Sequence, residues 1–252
     1  MSAEPLGVVG WCVARVRVVL SLLFCAVAMV PFLPWMVLAP SRGQQVRRAS
    51  QYAKLISHVA LWLYGIKVVG LHRRDLEPHF PAIFIANHSS FLDAFLALVL
   101  HPYGVVGVAK KEIVRIPFFG QMYAVSGHVQ IDRQNHERAV DAMRAAGREV
   151  NDNGLGVWMF PEGTLPREAE MLPFKKGFVH LAAATGLPVV PILFHNARDL
   201  WPTRTLDVRP GVAHVEMMAP LDTTEWRAED AREISERVRA MMDDRLKAGP
   251  PA

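Results

Sequence analysis

From Val18 to Pro40 the chain carries no charged residue, with Arg15 and Arg17 just before that run and Arg42, Arg47 and Arg48 just after it. About 20 apolar residues suffice to cross the hydrocarbon core of a bilayer, so this run is long enough to span one. A signal peptide fits less well, because the run exceeds a typical apolar core of such a peptide and no small-x-small cleavage site follows it. Pro31 and Pro34 each lack an N–H and crowd the preceding turn, so they are expected to bend or break a helix there. A second helical stretch is read from Gln44 to Ile66, with Tyr52, Leu55, Ile56, Val59 and Leu63 on an apolar side and Arg47, Arg48 and Lys54 elsewhere. Basic residues at both ends fit a kinked hairpin dipping into one leaflet, its charged ends on the same side; a single span is the other arrangement.

The 252 residues allow one large domain, or a domain plus an appendage. With 28 Lys and Arg against 24 Asp and Glu the net charge is +4. That excess is too small to mark a nucleic-acid binder, and no aromatic-basic interleaving supports one. It suffices for contact with an anionic lipid leaflet. Cys12 and Cys25, the only two cysteines, lie in the apolar N-terminus away from any other ligand cluster, so neither a disulfide framework nor a metal signature is present in the sequence.

Beyond Gly65 the pattern changes. Short apolar or β-branched runs at Ile66–Leu71, Ala82–Ala86, Val105–Ala109, Val129–Ile131, Gly156–Phe160 and Pro188–Leu193 read as strands. Helical patterns lie between several of them. One runs from Asn135 to Val150 and ends at the Asn-Asp-Asn-Gly turn, and another runs from Phe174 to Thr185 and closes on Gly186. The segment Thr223–Lys247, with Ile234, Val238 and Met241 set among charges, reads as an amphipathic last helix. Strands alternating with helices predict an α/β sandwich with a central mixed sheet flanked by helices. The expected division is 1–66 as membrane-anchoring helices and 67–252 as the catalytic domain.

Four clusters carry chemistry-bearing residues. The first is Ile83-Phe84-Ile85-Ala86-Asn87-His88-Ser89-Ser90-Phe91-Leu92-Asp93, an apolar strand running through turn and cap residues into a helix. Asp93 lies close enough in sequence to accept a hydrogen bond from one ring nitrogen of His88, which would leave the other free as a base. The second, Gly127-His128-Val129-Gln130-Ile131-Asp132-Arg133, delivers an arginine at the C-terminal end of a strand, where α/β sheets meet ligands. The third, Phe160-Pro161-Glu162-Gly163-Thr164, follows another strand, and Gly163 permits close backbone approach. The fourth joins Phe174-Lys175-Lys176-Gly177 at a helix start to Val190-Pro191-Ile192 in the next strand. Taken singly, each has a plainer reading: an incidental histidine beside a cap, an arginine paired with Asp132, a turn, two solvated lysines.

In order, N-H-x-x-x-x-D, G-x-V-x-I-D-R, F-P-E-G-T and V-P-I resemble the four blocks of the glycerolipid acyltransferases, of the 1-acylglycerol-3-phosphate type. The resemblance runs from about Ile83 to Ile192 and includes Lys110-Lys111-Glu112 and Ile116-Pro117-Phe118-Phe119-Gly120. It implies that His88, held by Asp93, takes the proton from a lipid hydroxyl as that oxygen attacks an acyl thioester, with no acyl-enzyme; accordingly no G-x-S-x-G elbow occurs. It further implies that Arg133, Glu162, Gly163 and Thr164, with Lys110 as a second phosphate contact, bind the acceptor. Oxyanion donors are sought among backbone N–H groups near Gly163 or after Asn87. No cofactor is implied, only acyl-CoA or acyl carrier protein as co-substrate, with a lysophospholipid and membrane lipids as partners at the cytoplasmic face of a bacterial inner membrane. An apolar tunnel would measure the acyl chain, with Trp158, Phe118 and Phe119 as possible floor or as plain core. One departure stands out: where the family commonly has arginine after F-P-E-G-T, this chain has Leu165-Pro166, with Arg167 two places on. The acceptor expected is 1-acyl-sn-glycerol 3-phosphate, with another lysolipid, such as a lyso-aminolipid, or a thioester-cleaving hydrolase as alternatives.

Overall fold

The structure, a computed structural model, describes residues 6–115, 119–131, 136–167 and 170–251. Two long helices come first, α1 (Val8–Val37) and α2 (Arg42–Tyr64), packed on each other as a hairpin. Along α1 the buried residues Ala14, Val18, Ser21, Ala28 and Met36 recur at helical spacing and form one stripe against the protein. The rest of its surface is apolar and open: Val8, Val9, Val16, Val19, Leu22, Leu23, Val27 and Val30 are all exposed. Contrary to expectation the helix begins well before Val18 and runs unbroken through both prolines to Val37. They fall in its last two turns, where only two N–H donors are lost. Past them, the Arg48 guanidinium on α2 donates to the Trp35 carbonyl, one of the orphan carbonyls of the helix end. Helix α2 starts at Ser41, whose hydroxyl accepts from Gln44 N, and stops at Gly65 with φ +69°.

The remaining elements are β1 (Ile66–Val69), α3 (Arg73–Leu76), β2 (Ile83–Ala86), α4 (Leu92–Leu100), β3 (Val105–Lys110), α5 (Phe119–Val125) and β4 (Val129–Ile131). They continue with α6 (His136–Asn153), β5 (Gly156–Met159), α7 (Gly177–Thr185), β6 (Val189–Phe194), α8 (Ala197–Leu200), β7 (Gly211–Met217) and α9 (Ala231–Lys247). The sheet order is β1-β7-β6-β2-β5-β3-β4, parallel at every pairing except β6 with β7. The mixed α/β sandwich expected from the sequence is therefore present. The strand β7, which makes the sheet mixed, was not among the predicted runs.

Alternation along the central strands sends side chains into two cores. Phe84, Ala86, Trp158, Val190 and Ile192 face α4 and the end of α2, through Leu92, Leu96, Ala60, Leu61 and Tyr64. Ala14 and Val18 of α1 belong to the same cluster. Ile83, Ile85, Val157, Met159, Val189 and Leu193 face the other way, onto α6, α7 and α9 through Met143, Val150, Phe178, Leu181, Ile234, Val238 and Met242. Trp158 is buried and lies flat between Phe84 and Phe194, at 6.0 and 6.5 Å between ring centres, as a member of the first core. β2 is flanked by parallel neighbours on both sides, so the loop that leaves its C-terminal end sits in the middle of the sheet's edge.

Candidate active site

Asn87 is the first residue past β2, and it is not a helix cap. Its buried side chain spans to β6, donating from Nδ2 to Phe194 O at 3.1 Å and accepting Phe194 N at Oδ1 at 2.8 Å. This ties the chain just past the end of β2 to β6 and fixes the point at which it turns toward α4. The turn is also tied from the far side. Ser90 Oγ donates to Trp201 O and accepts Leu92 N, and Thr203 Oγ1 donates to Ser89 O at 2.7 Å.

On that platform His88 Nδ1 lies 3.0 Å from Asp93 Oδ2. A carboxylate only accepts, so Nδ1 carries the proton and the neutral ring has its lone pair at Nε2. Asp93 sits in the first turn of α4, where the aligned peptide dipoles favour negative charge, and its side chain is 0% exposed. The same Oδ2 accepts Ser89 N at 2.5 Å and Ser90 N at 2.8 Å, so the carboxylate is held from three directions. Asp93 Oδ1 is buried and receives no hydrogen bond from the described residues. The His88 ring is 18% exposed and stacks on Phe160, 4.2 Å between centres at 17°. Carboxylate and phenyl ring together leave the imidazole one orientation, with its Nε2 edge accepting from no described residue.

Glu162 meets this histidine from the opposite loop. Its Oε1 accepts the His88 backbone N–H at 2.7 Å, and its Oε2 accepts Leu172 N at 2.9 Å. The residue is 2% exposed, and burial pushes its carboxyl pKa up against the pull of those two backbone donors. Both oxygens are thus engaged by main chain, and the carboxylate joins the His88 loop to the 160–175 loop. Gly163 turns the chain with φ +76°, and its N–H donates to Phe160 O at 3.0 Å. Lys175 N donates to Pro161 O at 2.7 Å and closes the loop's base. The amides of His88, Ser89, Ser90 and Gly163, among the expected oxyanion donors, all donate within the protein here.

Of the other predicted residues, Thr164 is exposed beside this turn, and Leu165 is half-buried with Pro166 buried after it. Arg167 is exposed, and its carbonyl accepts Arg198 Nη2 at 2.8 Å. Lys175 and Lys176 are exposed, in keeping with the solvated reading. Arg133 and Asp132 lie outside the described residues, as does Phe118. Lys110 ends β3, and its side chain, like that of Phe119, is outside the described part. Sequence reasoning missed Phe160 as the stacking partner and missed Trp201 and Thr203 altogether. Aromatic identity next to the third cluster was a signal for Phe160; the other two act through bonds more than 100 residues apart in the chain. Among the described residues no group of three or more His, Cys, Asp or Glu could hold a metal ion.

Comparison with known proteins gives the family. A sequence model of the family described as Acyltransferase matches residues 66–195, just over half of the chain, a span that holds His88, Asp93, Phe160, Glu162 and Gly163 but not Trp201 or Thr203. The 1-acyl-sn-glycerol-3-phosphate acyltransferase of Limnanthes douglasii is 39% identical over 200 residues, covering 79% of this chain and 68% of that protein. The protein of the same name from Salmonella typhimurium is 35% identical over 184 residues, 73% of this chain and 74% of the relative. The crystal structure of the 1-acyl-sn-glycerophosphate acyltransferase PlsC from Thermotoga maritima superposes with a TM-score of 0.74 over 96% of this chain and 97% of the other, at 23% identity, a likeness of fold. With a sheet that presents His88 and Asp93 at its C-terminal edge and with relatives of this kind, the chain is an enzyme of the acyltransferase family.

Proposed function

We propose that this enzyme moves a fatty acyl group from a thioester to the free hydroxyl of 1-acyl-sn-glycerol 3-phosphate, with His88 as general base. The observation that carries this reading is the His88–Asp93 pair at 3.0 Å, which puts the ring proton on Nδ1 and leaves Nε2 without a hydrogen bond among the described residues. In the proposed step the acceptor hydroxyl oxygen bonds to the thioester carbon while Nε2 takes its proton. The tetrahedral intermediate then collapses, the C–S bond breaks, and the imidazolium returns the proton to the departing thiolate. No bond to the protein forms. A positioned general base contributes about 10²–10⁴-fold to such a step. The donor is acyl-CoA or acyl carrier protein. Arg133 and Lys110 bind the acceptor phosphate, and Gly163 and Thr164 line its glycerol. Glu162 serves that site by holding His88 and its own loop in register.

Residues 1–66 are the membrane-anchoring part and 67–252 the catalytic part. Helix α1 is long and apolar enough to cross a membrane. Its open apolar surface, with Trp62 on α2 at 77% exposure, supports attachment to the leaflet that holds the lysolipid, on its cytoplasmic side. A second acceptor class is kept on one observation: Leu165-Pro166 stand where the resemblance leads one to expect an arginine, and leucine offers a phosphate no donor. The test is purified full-length protein in mixed micelles with acyl-CoA or acyl carrier protein donor and a panel of lysolipids, read by mass spectrometry. Phosphatidic acid formation that vanishes in His88→Ala is the expected result. Equal donor consumption with and without lysolipid would make the protein a thioesterase, and full activity in His88→Ala would remove the mechanism.

A further inference from the structure

The loop 160–176 carries Phe160, Glu162 and Gly163 to the histidine, yet between Met171 and Lys175 it has no regular structure of its own. Its carbonyls need partners from elsewhere. Helix α9 supplies them. Arg239 Nη2 donates to Met171 O at 2.6 Å and Arg239 Nε donates to Leu172 O at 3.1 Å. One rigid guanidinium thus grips two successive carbonyls. The N–H of Leu172 donates to Glu162 Oε2 at 2.9 Å, and Glu162 Oε1 accepts His88 N at 2.7 Å. An unbroken series of hydrogen bonds therefore leads from the C-terminal helix to the backbone of the base. Ile234, Val238 and Met242 of α9 are buried in the core beneath the sheet, so the arginine projects from a fixed element. Helix α9 lies wholly beyond residues 66–195, the part matched by the family model.

We infer that Arg239 is a positioning residue for His88, acting through Leu172 and Glu162. The inference rests on the general-base reading above. Without the guanidinium the 171–172 segment loses its two side-chain donors, Leu172 N drifts from Glu162, and the buried carboxylate no longer holds the His88 amide. Glu162 then has one donor in place of two, and the imidazole moves relative to the substrate hydroxyl. A misplacement on the order of 1 Å at a reacting group costs about 10²-fold in rate.

The experiment compares the full-length enzyme with Arg239→Ala, Arg239→Lys, Glu162→Gln and the double variant Arg239→Ala/Glu162→Gln, with His88→Ala as control. For Arg239→Ala the expected result is a kcat lower by about 10–100-fold, with KM for donor and lysolipid each within about twofold of the parent. Arg239→Lys, which keeps the charge but has its donors on a single nitrogen in place of the forked pair, should fall between, and millimolar free guanidinium should restore part of the Arg239→Ala rate. Because both residues act through the same path, the double variant should be no slower than the slower single variant, whereas independent roles would multiply. An unchanged kcat in Arg239→Ala overturns the inference, as does multiplicative loss in the double variant, while inactive His88→Ala in the same assay leaves the general-base reading standing. Activity in His88→Ala would instead sink that reading and this inference with it.

Discussion

At the scale of single residues the site is a set of acceptors, each matched to several main-chain donors. Asp93 uses one oxygen for the imidazole and two amides. Asp93→Asn keeps the shape but replaces a pure acceptor by a group that also donates, so the Nδ1–H tautomer of His88 is no longer enforced. The expected outcome is a kcat lower by about 10²–10⁴-fold with little change in either KM, measured by steady-state kinetics. Glu162→Gln turns one of two acceptor oxygens into an N–H donor facing His88 N or Leu172 N. Leaving a buried amide unpaired costs about 1–3 kcal/mol, so chemical denaturation should show a loss of that size together with slower turnover. Arg133→Ala is expected to raise KM for the lysolipid by about 10- to 150-fold and leave that of the donor nearly unchanged, the loss of one charge-assisted contact of about 1.5–3 kcal/mol. Equal changes in both constants would remove its assigned role. The His88–Asp93 pair was legible in the sequence because both partners lie within one strand-to-helix turn. Glu162 was picked out, but not the service it performs, because its bonds reach 74 residues back and 10 forward.

At the scale of elements, strand junctions and helix ends carry the constraints. Gly70 follows β1 at φ +91°, and a Cβ there would lie 2.3 Å from the Val215 carbonyl oxygen on β7. Gly70→Ala therefore meets both a left-handed backbone penalty and a main-chain clash, and should lower stability by about 2–3 kcal/mol, read as a fall in the denaturation midpoint. Strand β7 itself alternates Ala213 and Val215 inward with Val212, His214 and Glu216 toward more open positions. That two-residue period was present in the sequence, but Gly-Val-Ala-His-Val-Glu-Met holds too few large apolar residues to stand out as a run. Two histidines lie by β3: His101, buried just before it, and His128, half-buried against Gly107 within it. His101 is pushed down to about 4, first by burial and then by the charges of Lys54 and Arg73. His128 is pushed down to about 3 by burial, then by His101 and Arg42, and its Nδ1 accepts Gly107 N. Both are neutral when folded, whereas in the unfolded chain each takes up a proton near pH 6.5. Stability is therefore full above about pH 6.5 and is lost as pH falls toward 4, by roughly 3 kcal/mol from His101 alone. His101→Gln should flatten the slope of thermal midpoint against pH over that interval; an unaltered slope would assign it to other groups.

At the scale of the whole molecule the sheet and its two cores set where each surface faces. The proposed membrane attachment places the exposed side of α1 in lipid, so charges there should matter while the fold survives. Val19, Leu23 and Val27 are exposed, whereas Ala14 and Val18 help fill the core and Arg15 is ion-paired with Asp207 at 2.9 Å. A Val19→Asp/Leu23→Asp/Val27→Asp variant is expected to move from the membrane fraction to the supernatant on sedimentation, since each charge at bilayer depth costs about 2.5–3.5 kcal/mol. Retention on the membrane would show that another surface attaches the protein. The amino-acid sequence alone determined the apolar first helix, the alternation of strands and helices, the family, and the pairing of His88 with Asp93, because each is written in neighbouring residues or in motifs of fixed order. Tertiary structure alone decided that β7 inserts between β1 and β6, that Asn87 locks β2 to β6, and that Arg239, Leu172 and Glu162 converge on the His88 loop. Those contacts join segments tens to more than a hundred residues apart. A hydrogen-bond donor leaves no trace in its own sequence neighbourhood of which distant carbonyl it will meet.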